Sequence, residues 1–226
     1  IRGDRRQALQ HFENAIRIDP NDAESHNVLG MTAASLASTE KAILHFRKAI
    51  ELSGTHREAE NNLAILLSAT GQSDEAIELF RHLIGNNPEF VTARINLGSI
   101  LIELGQFEEA VEHLEVALRL KPDSGLALHH LGDLAIADEY QFTEAQMAQM
   151  KMLLDSDGDP SEKRIAIGFT YAGILEKQKR FADAFDVYQK ANLLNHQASQ
   201  RKNIVFDASL HAEKMQHAIA FFDNVF

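Results

Sequence analysis

Eleven histidines and 33 carboxylates are the side chains of this 226-residue chain with the most chemical potential. Histidine suits metal ligation or proton transfer near neutral pH. His11, His45 and His113 occupy one repeating position, which predicts placement on the outer face of successive helices. Steps of 34 residues put them on separate structural units, too far apart for zinc bonds of about 2.0–2.1 Å. His129 and His130 are adjacent and point about 100° apart on a helix. His211 and His217 are six apart and share no face. Solvated or packed histidines account for all of these. The carboxylate pairs Asp74/Glu75 and Glu108/Glu109 stand where helices begin, and there they complement the helix dipole. The run Asp155-Ser-Asp-Gly-Asp-Pro-Ser161 raises calcium, but a calcium loop wants Gly sixth and Glu twelfth. Here those places hold Pro160 and Ala166, so Asp159 is expected to be an N-cap, with Pro160 the first helical residue. Glu162 would then complete a capping box.

The chain has no cysteine, which removes thiolate ligands, disulfides and cysteine nucleophiles. Its glycines are isolated, so no phosphate-cradling loop forms. The reading is of a chain with no catalytic residue, no metal site and no cofactor. A net charge of −11 argues against nucleic acid, where phosphate neutralisation dominates affinity. No apolar run approaches the roughly 20 residues that span a bilayer. No signal peptide is visible, which points to the cytoplasm. The chain begins at Ile1 rather than Met, so its natural N-terminus is expected upstream.

What positions these side chains is a repeat of 34 residues. Ala8, Ala42, Ala76 and Ala110 form one column, and Phe12, Phe46, Phe80 and Leu114 come four residues later. Leu29, Leu63, Leu97 and Leu131 form another, each succeeded by a small residue: Gly30, Ala64, Gly98 and Gly132. Pro20, Pro88 and Pro122 close their repeats, with Gly54 in the equivalent place. The small residues let two helices approach, and the Phe column fills gaps between one pair and the next. Gly71 and Gly105 mark turns between helices, where φ can become positive. Apolar spacing is helical, as in Ile77, Phe80 and Ile84, and strand-like alternation is absent.

These columns resemble the tetratricopeptide repeat family. The resemblance implies an all-α fold, an α-α superhelix (solenoid) of about 12 antiparallel helices closed by a C-terminal capping helix. The expected organisation is one solenoid domain. It has a half repeat at 1–20 (second helix only), repeats at 23–54, 57–88 and 91–122, and an irregular repeat at 125–155. A repeat-like pair at 160–196 and a capping helix at 204–226 complete it. In the irregular part Ala145 and Ala184 continue the alanine column. The cap carries the stripe Ala208, Ala212, Met215, Ile219, Phe222 and Phe226.

The segment Phe181-Ala-Asp-Ala-Phe-Asp-Val-Tyr-Gln-Lys-Ala-Asn192, with Gly168-Phe-Thr-Tyr-Ala-Gly173 before it, resembles the repeats that precede the catalytic domain of bacterial sulfotransferases. That likeness implies an enzyme domain downstream.

First helices of such repeats line a groove, to which each repeat contributes the same positions. The candidate groove residues are Asn27, Met31, Asn61, Asn62, Ile65, Asn96, Ser99, Glu103, His129, His130 and Asp133. Glycosyltransferase-associated members of the family grip peptide backbone with an Asn preceding the Leu column. Asn62 and Asn96 match that place, while Val28 and His130 depart from it. Bonding between neighbouring helices is the competing reading of these amides. Members that bind chaperone tails use a cationic clamp, and Asn27, Asn61, Leu126 and His130 stand where Lys or Arg is wanted. The function implied is a protein- or peptide-binding scaffold. The alternative is a substrate-presenting or dimerising arm of a larger sulfotransferase- or glycosyltransferase-like enzyme. A homodimer through the N-terminal helix face or the C-terminal cap is a third reading.

Overall fold

The computed structural model describes residues 14, 16–156 and 161–201. The N-terminal half repeat falls mostly, and the capping helix at 204–226 entirely, outside these residues. Among the described residues the chain is all-α with no strand, and ten helices follow the helical residues 16–18. They are α1 (Ala23–Ser35), α2 (Thr39–Ser53), α3 (Arg57–Ala69), α4 (Ser73–Asn86) and α5 (Val91–Glu103). Next come α6 (Phe107–Leu120), α7 (Gly125–Ile136), α8 (Glu144–Asp155), α9 (Glu162–Lys177) and α10 (Phe181–Arg201). The chain divides into two compact units, one ending at His130 and one beginning at Leu131, so the boundary falls within α7.

In the first unit α1 packs on α2, α3 on α4 and α5 on α6, and the first helices α1, α3 and α5 also touch in sequence. The fourth residue of each second helix is a fully buried alanine: Ala42, Ala76 and Ala110. Phe46, Phe80 and Leu114, one turn on, are buried to 1% exposure or less. Each large side chain rests against the first helix of its own pair. A Cβ built on Gly30 would lie 2.6 Å from the Phe46 ring, and one on Gly98 would lie 2.8 Å from Leu114. The Phe column therefore fills the space left by the glycine column within a pair.

The five turns inside the pairs share one geometry. After α3 the amide of Gly71 donates to the Ser68 carbonyl at 3.0 Å and that of Gln72 to Leu67 at 2.9 Å. These two bonds define a Schellman ending, which needs its central residue at positive φ. The same pair of bonds recurs at Ala37, Gly105, Asp138 and Lys179. Gly71 and Gly105 meet the requirement at φ 80° and 73°, but Ala37, Asp138 and Lys179 hold 56°, 66° and 61° with a side chain present.

The second unit keeps the scheme with altered spacing. Met147, Met150 and Leu154 are the buried residues of α8. Ala145 is exposed in its first turn, because the longer turn shifts the helix start to Glu144. Methionine therefore stands in the alanine column there, and alanine returns at Ala184. Thr143 and Gln146 form a reciprocal capping box. α9 starts at Glu162, capped by Ser161, whose hydroxyl accepts from the Arg164 amide. The expected cap, Asp159, and the expected first helical residue, Pro160, lie outside the described residues. Gly168 lets α10 approach α9: its Cβ would stand 2.9 Å from Ala191.

Candidate binding groove

Successive first helices bring positions 34 and 35 residues apart into contact. The amide of Asn62 donates to Asn27 Oδ1 at 3.4 Å, and that of Asn96 donates to Asn61 Oδ1 at 3.3 Å. The predicted amides thus form two rungs that join α1 to α3 and α3 to α5. Asn27 is buried, whereas Asn61, Asn62 and Asn96 are half-buried. An amide carries two donors and an acceptor, and each rung uses one donor of Asn62 or Asn96. Helix-to-helix bonding and a peptide-facing edge are therefore compatible in the same side chain.

Beside the second rung lies a pocket of about 270 Å³ between α3 and α5. It brings together the predicted Ile65, Asn96, Ser99 and Glu103, and adds Ser68, Ala69, Ile100 and the floor residue Phe80. Ile65 is 45% exposed and Met31, one repeat earlier, 51% exposed, so the apolar row ahead of the pocket faces water. Removal of such groups from water favours a partner by about 25 cal/mol per Å². His129 and His130 lie on α7 with ring centroids 5.7 Å apart, and Asp133 lies on the same helix within the second unit.

Of the histidines expected on the outer face of the second helices, His45 and His113 turn inward, and His11 lies outside the described residues. His45 Nδ1 meets His26 Nδ1 at 3.0 Å. His26 Nε2 reaches the Pro20 carbonyl at 3.3 Å, so Nε2 carries the proton and Nδ1 accepts from His45. His113 stands 3.5 Å from Arg94 and 3.7 Å from Glu109. Burial, and secondarily the Arg94 charge, push its pKa below the ordinary histidine value. The reason for the inward turn is that position 45 or 113 faces the first helix of its own pair, where position 26 or 94 is polar. Glu60, in that same row, is 2% exposed and bonded to His82 Nδ1 at 2.9 Å. A lone glutamate gives no sequence signal of burial, and its partner lies 22 residues away.

On the surface of the second helices, Arg47 bridges to Glu75 at 2.8 Å and Arg81 to Glu109 at 2.7 Å. The bridges repeat at the 34-residue step. Half-exposed pairs of this kind contribute about 0–1 kcal/mol each. The Arg81 bond holds the Glu109 carboxyl below the usual carboxylate range. Among the described residues no group of three or more His, Asp or Glu is placed to hold a metal. No described helix is long and apolar enough to cross a membrane.

Comparisons with known proteins agree with this geometry. The chain is 32% identical over 85 residues to an uncharacterized protein of Aquifex aeolicus (strain VF5). That match covers 38% of the chain but only 10% of the longer relative. Among solved structures, YrrB, described as a TPR protein with an unusual peptide-binding site, is similar with a TM-score of 0.58 at 20% identity. The match covers 90% of this chain and 97% of YrrB. MamA is similar with a TM-score of 0.57 at 21% identity, over 80% of this chain and 93% of that one. A MamA fragment from Desulfovibrio magneticus RS-1 gives 0.54 at 18% identity, over 86% and 88%. At these identities the likeness is one of fold, that of an α-α solenoid. The sequence itself matches the tetratricopeptide repeat family over residues 2–56 and 61–125, more than half of its length, and the chain belongs to that family.

Proposed function

We propose that this chain is a non-catalytic scaffold that binds a protein or peptide segment along α1, α3 and α5. The observation that carries the reading is the pair of asparagine rungs beside the pocket of Ile65, Asn96, Ser99 and Glu103. In this reading Asn62 and Asn96 offer their remaining amide groups to an extended peptide backbone. Met31 and Ile65 meet its apolar side chains. Asn27 and Asn61 hold the rungs, Glu103 sets the charge at the pocket mouth, and His129, His130 and Asp133 extend the contact surface along α7. That YrrB is a peptide-binding repeat protein supports the reading by analogy of fold. Cytoplasmic location, independence of nucleic acid and membranes, and self-association through the N-terminal face or the C-terminal segment belong to the same proposal.

The test is a double substitution, Asn62→Ala with Asn96→Ala. We expect a partner recovered by pull-down to bind about tenfold more weakly to the variant, from two lost peptide hydrogen bonds of about 0.5–1.5 kcal/mol each. Helicity by circular dichroism should stay unchanged, and equal binding by both proteins rejects the ladder. A second reading makes the chain an arm of a larger sulfotransferase-like enzyme. It draws on the motif at Phe181–Asn192 and on the length of the Aquifex relative, of which this chain covers a tenth. Sequencing the gene beyond the codon for Phe226 tests it: a phosphate-binding loop within the next stretch supports the arm, and its absence removes it.

A further inference from the structure

A second and larger cavity of the first unit, about 490 Å³, lies at the start of α3 and the turn before it. Its far wall is the turn after α4, at Asn86 and Asn87. Position 60 in this cavity belongs to a row that the neighbouring pairs use differently. In the first pair His26 donates through Nε2 to the carbonyl of Pro20 at 3.3 Å, and in the third Arg94 donates through Nε to the carbonyl of Pro88 at 2.9 Å. Each of these plugs a loop carbonyl six residues before it. In the second pair the row residue is Glu60 and the loop residue is Gly54. A carboxylate only accepts, so it supplies no donor to that loop.

Glu60 is also 98% buried, with Oε2 committed to His82. No buried side-chain oxygen or nitrogen among the described residues lacks a partner, which leaves Oε1 as the atom open to the cavity. The rim is negative as well. Glu24 and Glu58 flank His56 at 3.4 and 3.8 Å, while Arg57 is committed to Glu58 at 2.9 Å and lies over the Phe90 ring. The cavity therefore has the Glu60 carboxylate on its inner wall, Glu24 and Glu58 at its rim and no donor at the row position.

We propose that this cavity is a binding site, separate from the groove, for the guanidinium of an arginine side chain carried by a basic partner peptide. The arginine enters beside Glu60 and supplies a guanidinium at a row position where the third pair has that of Arg94. Arg94 shows that the row position accepts a guanidinium in this architecture. A planar fork of five N–H groups can reach Glu60 and a rim carboxylate together, which a compact ammonium does less well. The −11 charge of the whole chain favours encounter with basic partners.

The test uses the full chain and two five-residue peptides, one with a central arginine and the other with the neutral isostere citrulline in its place. Backbone-amide NMR shifts track each titration. The arginine peptide should shift the amides of Thr55 to Glu60 and of Asn86 and Asn87, and the citrulline peptide should bind at least about tenfold more weakly, since charge-assisted bonds are lost. Glu60→Gln, which keeps shape and one bond to His82, should weaken the arginine peptide by about tenfold as well. Glu24→Gln changes an exposed rim residue, and should weaken it about two- to threefold. The groove variant Asn62→Ala/Asn96→Ala should bind the arginine peptide as the parent does. Equal binding of the two peptides, shifts confined to the α3–α5 pocket, or full affinity in both glutamate variants would overturn the proposal.

Discussion

Ala37 carries a side chain at φ 56°, in the turn where the next two repeats use Gly71 and Gly105. A left-handed conformation costs an L-residue about 1–2 kcal/mol. Glycine removes that cost but enlarges the freedom of the unfolded chain by roughly 0.4–1 kcal/mol. Ala37→Gly should therefore raise stability by about 0.5 kcal/mol, and Gly71→Ala should lower it by about 1 kcal/mol. Urea unfolding of the two variants checks the pair of signs. At Gly30 the limit is space, because the added methyl carbon would stand 2.6 Å from the Phe46 ring. Phe46 is 1% exposed and has nowhere to retreat, so Gly30→Ala should cost about 1–3 kcal/mol. A stability equal to the parent's would mean that α1 can move away from α2.

At the scale of elements, polar contacts inside each helix pair make stability depend on pH. His113, between α5 and α6, has a pKa lowered by burial and by Arg94. The unfolded chain then binds a proton that the folded chain resists, so stability rises with pH across this window. The contribution is present above the ordinary histidine value near 6.5 and is lost as pH falls from there through the lowered folded value. His113→Gln should flatten the decline in thermal midpoint between about pH 7 and pH 5, relative to the parent. Parallel curves would assign the acid response elsewhere. Elements also show what the sequence could and could not reveal. The cores of α2, α4 and α6 were legible because buried alanine and a large apolar residue recur in strict phase. The α8 register was not, since Met147 occupies a site where a small residue was sought and Ala145 lay nearby. Turns at Ala37, Asp138 and Lys179 gave no sign, because backbone handedness is visible in sequence only when glycine supplies it. Asn62 and Asn96 were found by phase, but their bonds to Asn27 and Asn61 depend on how closely neighbouring first helices approach. Burial of Glu60 depends on a partner two helix turns into α4, which no local pattern announces.

For the molecule as a whole, the main contacts among the described helices of the first unit join each helix to its neighbours in its own and adjacent pairs. Stability in such an array is approximately a sum of pair and interface contributions. A chain stopped after Pro122 should keep α1 to α6 folded, with an unfolding midpoint below that of the parent. Circular dichroism decides this, and loss of helicity would show that α1 to α6 depend on residues 123–226 for their folding. The five left-handed turns have a practical use for such experiments. Ala37, Asp138 and Lys179 are exposed and already carry side chains at that geometry, and the chain contains no cysteine. A single cysteine placed at any of them would be a unique thiol at a turn of known handedness. A pair of labels at Asp138 and Lys179, both in the second unit, would form a ruler that reports how that unit stretches when a partner binds.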